Sequence, residues 1–162
     1  MNQKTSQKNR QYWLFKSEPE TFSIDDLAHR PHQTEHWDGV RNYQVRNMLR
    51  DQIKVGDQLF FYHSSCKVPG IVGIAEVVKN GYPDPSALNP ESKYYDPTAS
   101  ETNPRWFMVD IKLVKKFNNI YTLDKIKNNP ALQHMQVARK GNRLSITPVL
   151  DEEWKTIITL AS

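Results

Sequence analysis

Trp106-Phe107-Met108-Val109-Asp110-Ile111-Lys112-Leu113-Val114 is the stretch on which the fold turns, because its side chains alternate in character from one residue to the next. Phe107, Val109, Ile111 and Leu113 share one face and Asp110 and Lys112 the other, the pattern of a strand with one side buried. Working outward, Gln58 to His63 and Ile71 to Val78 have strand composition and follow turn signals at Val55-Gly56-Asp57 and Pro69-Gly70. These three strands are expected to form the heart of one sheet. Tyr12-Trp13-Leu14-Phe15 reads as a further buried strand whose mouth is polar, at Lys16-Ser17-Glu18-Pro19.

The helical signals are short. Ser23 caps Ile24 to Ala28, with Asp25 and Asp26 in the first turn, where the macrodipole favours negative charge. Asn42 caps a helix to about Gln52 whose apolar stripe is Val45, Met48, Leu49 and Ile53. Thr122 caps Leu123 to Lys127, Pro130 suits the first turn of another short piece, and Asp151 to Leu160 is amphipathic. Strands and helices mix without a regular βαβ repeat. The fold class is therefore α/β of the α+β type, a mixed or antiparallel sheet curled into a small barrel with helices at its edges.

The 162 residues suffice for one domain, expected over residues 11–162, with a short disordered arm over 1–10. Lys4, Lys8 and Arg10 in that arm precede no apolar stretch, so it reads as neither signal peptide nor membrane anchor. The longest mainly apolar run, Gly70 to Val78, is broken by Glu76 and falls far short of the ~20 residues of a membrane helix. A single cysteine, Cys66, excludes an internal disulfide framework and points to an intracellular protein. The net charge of +4 is compatible with a polyanionic partner without demanding one.

Chemistry concentrates in His36-Trp37-Asp38-Gly39-Val40-Arg41-Asn42-Tyr43, where aromatic planes, a guanidinium and an amide surround one glycine. A flat ring stacks on such planes while Asn, Asp and backbone groups read its edge. Core packing alone explains the aromatics but not the density of polar groups, each of which needs a partner if buried. Gly81 to Arg105 carries half of the chain's ten prolines with Tyr82, Tyr94 and Tyr95, and reads as an ordered flap. His63 and Ser64 are strand neighbours that point to opposite faces and cannot form a dyad. His29, His32 and His36 read as solvated loop histidines, Cys66 as a plain small residue, and Gly73 as a bulge or a site of close approach. Arg46, Lys67 and the turn Arg139-Lys140-Gly141-Asn142-Arg143 supply cations for a phosphate track. No phosphate-loop, zincin or nucleophile-elbow motif is present, so no cofactor is expected and binding without catalysis is the leading reading. The alternatives are an enzyme on nucleic acid or a nucleotide, with His63, Asp38 or Asp110 as acid or base, and a protein-interaction module docking through the Gly81 to Arg105 flap.

Taken in order, Trp13-Leu14-Phe15-Lys16-Ser17-Glu18-Pro19, Trp37-Asp38-Gly39-Val40-Arg41-Asn42, Phe61-Tyr62-His63-Ser64, Pro69-Gly70-Ile71-Val72-Gly73, Tyr95-Asp96-Pro97, Arg105-Trp106 and Asn142-Arg143-Leu144-Ser145 resemble the EVE domain family. The resemblance spans nearly the whole chain from Tyr12 onward. It implies a PUA-like fold related to the YTH and ASCH domains, a curled mixed sheet or pseudo-barrel flanked by short helices. It also implies binding of a modified base of DNA or RNA, in the nucleus of a eukaryote or on the nucleoid of a bacterium. By similarity to the aromatic cage of YTH domains, Trp37 is expected to be one wall, with Lys16 and Ser17 at the base edge and Ser64 to Gly73 opposite. Asp38, Arg41 and Asn42 are expected to add polar recognition or support. No tryptophan lies between Ser64 and Gly73, so Tyr62, Tyr95 or Trp106 is expected to complete the cage.

Overall fold

The computed structural model describes residues 10–161. The arm expected over residues 1–10 lies, except for Arg10, outside the described residues. Six strands form one sheet: β1 (Tyr12–Ser17), β2 (Thr34–His36), β3 (Gln58–His63), β4 (Gly70–Pro83), β5 (Phe107–Thr122) and β6 (Ile146–Val149), in the spatial order β2-β5-β4-β3-β1-β6. Strands β1 and β3 run parallel and every other pair is antiparallel, so the sheet is mixed. A parallel neighbour requires a long crossover. Here it carries helix α1 (Ile24–His29), β2 and helix α2 (Tyr43–Asn47), which delivers the Trp37 segment to the open end of β1.

The sheet is buried on both faces, which is why its inner strands read as unbroken apolar runs. Trp13, Phe15, Leu59, Phe61, Ala75, Val77, Val109 and Ile111 lie on the side of α1 and α2, packed with Ile24, Leu27, Val45 and Leu49. Leu14, Phe60, Tyr62, Ile71 and Ile74 lie on the other side, beneath helix α3 (Leu123–Asn128) and helix α4 (Asp151–Ala161) through Ile126, Trp154 and Ile157. Parity along each strand therefore assigns each residue to one face.

Both long strands extend well past their expected limits. Their pairing slips at four places, between Ile71 and Gly73, Ile74 and Ala75, Val77 and Lys79, and Lys79 and Tyr82. Such bulges bend and twist a ladder, so the sheet curls without β2 meeting β6. Gly73 sits at the first slip, where a Cβ would come within 2.3 Å of Ile24 Cδ1 and 2.4 Å of the Lys115 carbonyl oxygen.

The expected caps form. Ser23 Oγ accepts the Asp26 N–H while Asp26 returns a bond to the Ser23 N–H, and Asn42 and Thr122 accept from Val45 and Lys125. Helix α2 is shorter than expected and widens into one π-helical turn over Met48–Gln52, closed by the Ile53 N–H donating to the Met48 carbonyl. Pro130 opens a series of turns rather than a helix, and these bury Leu132 and Met135 before a single 3-10 turn at Gln136–Ala138. No helix among the described residues is long and apolar enough to cross a membrane.

Candidate nucleic-acid interface

Parallel pairing puts the carboxyl ends of β1 and β3 at one mouth, with Phe15 beside Phe61 and Ser17 beside His63. Trp37 follows β2 and is tied to β5 by its N–H, which donates to the Val109 carbonyl at 2.8 Å. Its indole rests against Phe15 (5.4 Å between centroids, 59°), Phe61 (5.6 Å, 89°) and Phe22 (6.2 Å, 79°). Tilted and edge contacts of this kind hold an aromatic plane rigidly. Trp37 remains half-buried and lines an open cleft of about 700 Å³ with Phe22 and Tyr94.

The cleft's outer wall is built by one clamp. Asp84, wholly buried, accepts hydrogen bonds from the Gly39 N–H (2.8 Å), the Ser86 N–H (2.9 Å), the Ser86 hydroxyl (2.6 Å) and Arg41 Nη1 (3.3 Å). Arg41 then donates to the Tyr94 carbonyl from Nε (3.0 Å) and Nη2 (2.5 Å), and its guanidinium covers the Trp106 ring at 5.3 Å. The flap is thus fastened to the Trp37 segment, and the Tyr94 ring lies on Gly39, whose φ is +81°.

Of the sequence-predicted residues, Trp37, Lys16, Ser17, Asp38, Arg41 and Asn42 line this one cleft. Several are already engaged. The Ser17 hydroxyl donates to the Phe22 carbonyl at 2.5 Å, Asn42 Oδ1 caps α2, and the Arg41 guanidinium holds the flap. Lys16 has the strand parity of Leu14 and is the register partner of Tyr62, so it borders the cleft only at the strand's end, and the Asp38 carboxylate lies 3.9 Å from His36 Nε2. Burial holds the Lys16 ammonium below the usual lysine range. Burial, and next the charge of Asp84, push the Asp38 carboxyl above the usual carboxylate range. Asp84 goes the other way, because the bonds from Ser86, Gly39 and Arg41 outweigh its burial and hold its carboxyl low.

Four expected wall residues lie elsewhere. Tyr62 has the wrong strand parity: it belongs to the opposite face with Leu14 and Phe60, where burial pushes its phenol up to about 12. Gly73 is pressed beneath Ile24 and does not reach the cleft. Trp106 is buried behind Arg41, stacked on Tyr43 at 4.8 Å, with its indole N–H donating to Asp96 at 2.7 Å. Tyr95 is exposed on the outside of the flap, and its neighbour Tyr94 faces the cleft instead. The Ser64 to Gly73 segment forms no wall. Ser64 is bound to the Ser17 carbonyl through its N–H (3.0 Å), and Lys67 is exposed in the loop beyond.

Among the expected rim cations, Arg46 is turned onto Tyr43 and donates to the Arg105 carbonyl at 2.6 Å. Arg139, Lys140 and Arg143 stay exposed on the loop leading to Ser145, which lines the cleft and accepts the Lys16 N–H at 2.8 Å. The residues not anticipated are Phe22, Tyr94 and Asp84. The Tyr-rich flap and the Asp84-Pro85-Ser86 turn signal were the traces they left in the sequence.

A curled, unclosed mixed sheet with short helices and a cleft at its strand ends defines the PUA-like class of protein. The fold extends to an ASCH protein of Zymomonas mobilis, with a TM-score of 0.55 at 13% identity over 94% of this chain and all of that one. Within the class, the model of the EVE domain matches residues 11–160, and the chain belongs to the EVE domain family. Thymocyte nuclear protein 1 of Rattus norvegicus is 42% identical over 175 residues, covering 97% of this chain and 76% of the relative. The crystal structure of human THYN1 protein in complex with 5-methylcytosine-containing DNA superposes with a TM-score of 0.86 at 41% identity, covering 93% of this chain and 96% of that one.

Proposed function

We propose that this chain binds nucleic acid without catalysis, taking one modified base of the 5-methylcytosine kind into the cleft on Trp37. The observation that carries the reading is a tryptophan locked by three phenylalanines yet still presented to a cleft of about 700 Å³. Stacking on such a plane is worth ~1–3 kcal/mol per base. Extrusion of a base from a duplex costs a few kcal/mol, so a single-stranded or destabilised site is the better substrate. The human relative's complex with methylated DNA supports the same reading.

A non-catalytic role accords with where the candidate acids and bases stand. His63 Nε2 accepts the Ile24 N–H at 3.1 Å, and Asp110 accepts the Tyr82 hydroxyl at 2.5 Å. Of His63, Asp110 and Asp38, Asp38 alone lines the cleft. An intracellular setting, nuclear in a eukaryote and nucleoid-associated in a bacterium, fits a nucleic-acid partner.

The test is a titration of single- and double-stranded oligonucleotides carrying cytosine, 5-methylcytosine or 5-hydroxymethylcytosine at one position. Wild type is compared with Trp37→Leu, which keeps an apolar group against Phe15 and Phe61. The expected result is tighter binding of a modified strand and a loss of about tenfold or more in the variant. Equal binding of all strands, or equal binding by the variant, overturns the reading.

A further inference from the structure

Phe22, one wall of the cleft, is held from behind by a histidine that does not itself line the cleft. His63, the last residue of β3, accepts the Ile24 N–H on Nε2 at 3.1 Å. Its ring meets Phe61 edge-on, with 5.8 Å between centroids and 78° between planes. Phe61 in turn packs against Phe22 at 6.3 Å and Trp37 at 5.6 Å. Ile24 opens helix α1 two residues after Phe22, whose carbonyl takes the Ser17 hydroxyl. His63 thus ties the segment that carries the Phe22 wall to the strand that braces Trp37.

The tie holds in only one protonation state. A neutral imidazole accepts through its bare nitrogen, whereas both nitrogens of an imidazolium are donors. The Ile24 N–H belongs to the first turn of a helix, where backbone donors have no partner inside the helix, so it fixes Nε2 as the bare nitrogen and Nδ1 as the protonated one. Adding a proton sets N–H against N–H, and the contact must open. Burial is the largest influence on the ring and holds it below the ordinary histidine range. Asp25 and Asp26 of α1 pull the other way, and Lys116 of β5, itself paired with Asp25, adds to the lowering. Its register neighbours on β1 and β4, Ser17 and Gly70, carry no charge.

We infer that His63 is a positioning residue for the base cleft, and that its protonation releases the Phe22 wall and weakens base binding under mild acid. The inference rests on the base-binding reading above and adds a regulation of that site. Phe22 keeps the Ser17 hydroxyl on its carbonyl, so the wall loosens while the fold stays intact. The sign follows from a folded-state pKa below the unfolded one: the tie is complete above the unfolded value of about 6.5 and is lost as pH falls through the lower folded value. The expected loss of affinity is about two- to tenfold, the worth of one hydrogen bond.

Two substitutions separate this role from a merely structural one. In His63→Gln an amide oxygen reaches the place of Nε2, accepts the Ile24 N–H and does not titrate; His63→Leu fills the space and accepts nothing. A single-stranded oligonucleotide carrying 5-methylcytosine is titrated against wild type, both variants and Trp37→Leu between pH ~8 and pH ~5. The other histidines, His36 of the cleft among them, titrate over the same range in every one of these proteins, so affinities are read relative to wild type at each pH. At pH ~8, His63→Leu is expected to bind about two- to tenfold more weakly than wild type, and His63→Gln to rescue that loss. At pH ~5, His63→Gln is expected to bind about two- to tenfold more tightly than wild type, and His63→Leu to match it. The Ile24 amide resonance of the free protein should move with the same midpoint in wild type and stay still in His63→Gln.

A ratio of His63→Gln to wild type that stays flat across the pH range overturns the inference and leaves base binding standing. A moving Ile24 amide with no change in that ratio overturns it likewise. Wild type binding no more tightly than Trp37→Leu at any pH overturns the base-binding reading itself.

Discussion

The Tyr94 ring rests so closely on Gly39 that a Cβ at Gly39 would stand 2.6 Å from Tyr94 Cζ. The same glycine has φ +81° and gives its N–H to Asp84 at 2.8 Å. One residue without a side chain therefore permits the left-handed backbone, the flap's approach and the burial of the clamp.

Gly39→Ala is expected to destabilise the fold by about 1–3 kcal/mol through the backbone conformation alone, with the ring clash in addition. The two parts separate in a double-mutant cycle with Tyr94→Ala, which removes the clash and leaves the backbone cost. Chemical denaturation of the four proteins checks this. Additive effects of the two substitutions would contradict the close packing.

Asp84→Asn tests the clamp beneath that contact. Its carboxylate is fully buried and faces Gly39, Ser86 and a partly exposed Arg41. Removing the charge is expected to cost about 3 kcal/mol, near the lower end for breaking a buried pair, because Arg41 keeps the Tyr94 carbonyl. Asp84 has a folded-state pKa below its unfolded value, so its contribution is complete above the unfolded value of about 4. It is lost as pH falls through the lower folded value. Denaturation midpoints of wild type and variant should run apart above pH ~4 and draw together below it.

Asp38→Asn should show the opposite sign. Burial and the neighbouring Asp84 raise the folded pKa of Asp38, so its charged form is disfavoured in the folded protein. The variant is expected to unfold at higher denaturant than wild type at pH 7, and the gain should vanish below pH ~4, where both states are protonated. A residue that weakens the fold while serving binding is the usual signature of a functional position. Loss of stability at pH 7 would instead mark Asp38 as a structural group.

Gly73→Ala separates a packing glycine from a binding one. The added methyl meets Ile24 Cδ1 at 2.3 Å and the Lys115 carbonyl at 2.4 Å, and the second of these is backbone that cannot step aside. The expected loss is about 1–3 kcal/mol or more, the range for overpacking a close-packed core. Nucleic-acid affinity per folded molecule should stay unchanged. Adding Ile24→Val removes the side-chain half of the clash and should recover part of the stability.

The sequence made some elements legible and hid others for definite reasons. Strands β3 and β5 were readable because burial imposes an apolar run or an alternation, and the helices because Ser23, Asn42 and Thr122 cap them locally. Strand β2 has three residues, all part-exposed or exposed, and β6 carries Pro148, which only an edge position tolerates. Neither leaves a periodic signal. In the cleft, Lys16, Ser17 and the Trp37 segment were readable because each is chemically dense over a few residues. The choice of Tyr94 over Tyr95 depends on which ring fits Gly39, a contact between distant segments. Tyr62 is different, since its side of the sheet follows from parity with Phe61 and could have been read from the strand alone.

The exposed cations on the loop before Ser145 bear on how the strand runs past the cleft. Arg139, Lys140 and Arg143 carry no ion pair among the described residues, and the loop ends at a residue that lines the site. If these side chains meet phosphates, each contact releases counterions, and the logarithm of affinity falls with that of salt by about 0.7 per contact on single strands. Replacing all three by alanine is expected to flatten the salt slope by about 2 and to weaken modified and unmodified strands equally. Preference for the modified base should survive, because it resides in the cleft and not in the rim. Anisotropy titrations over a series of salt concentrations check both. An unchanged slope would remove these cations from the interface, and a changed base preference would place them at the base and not at the backbone.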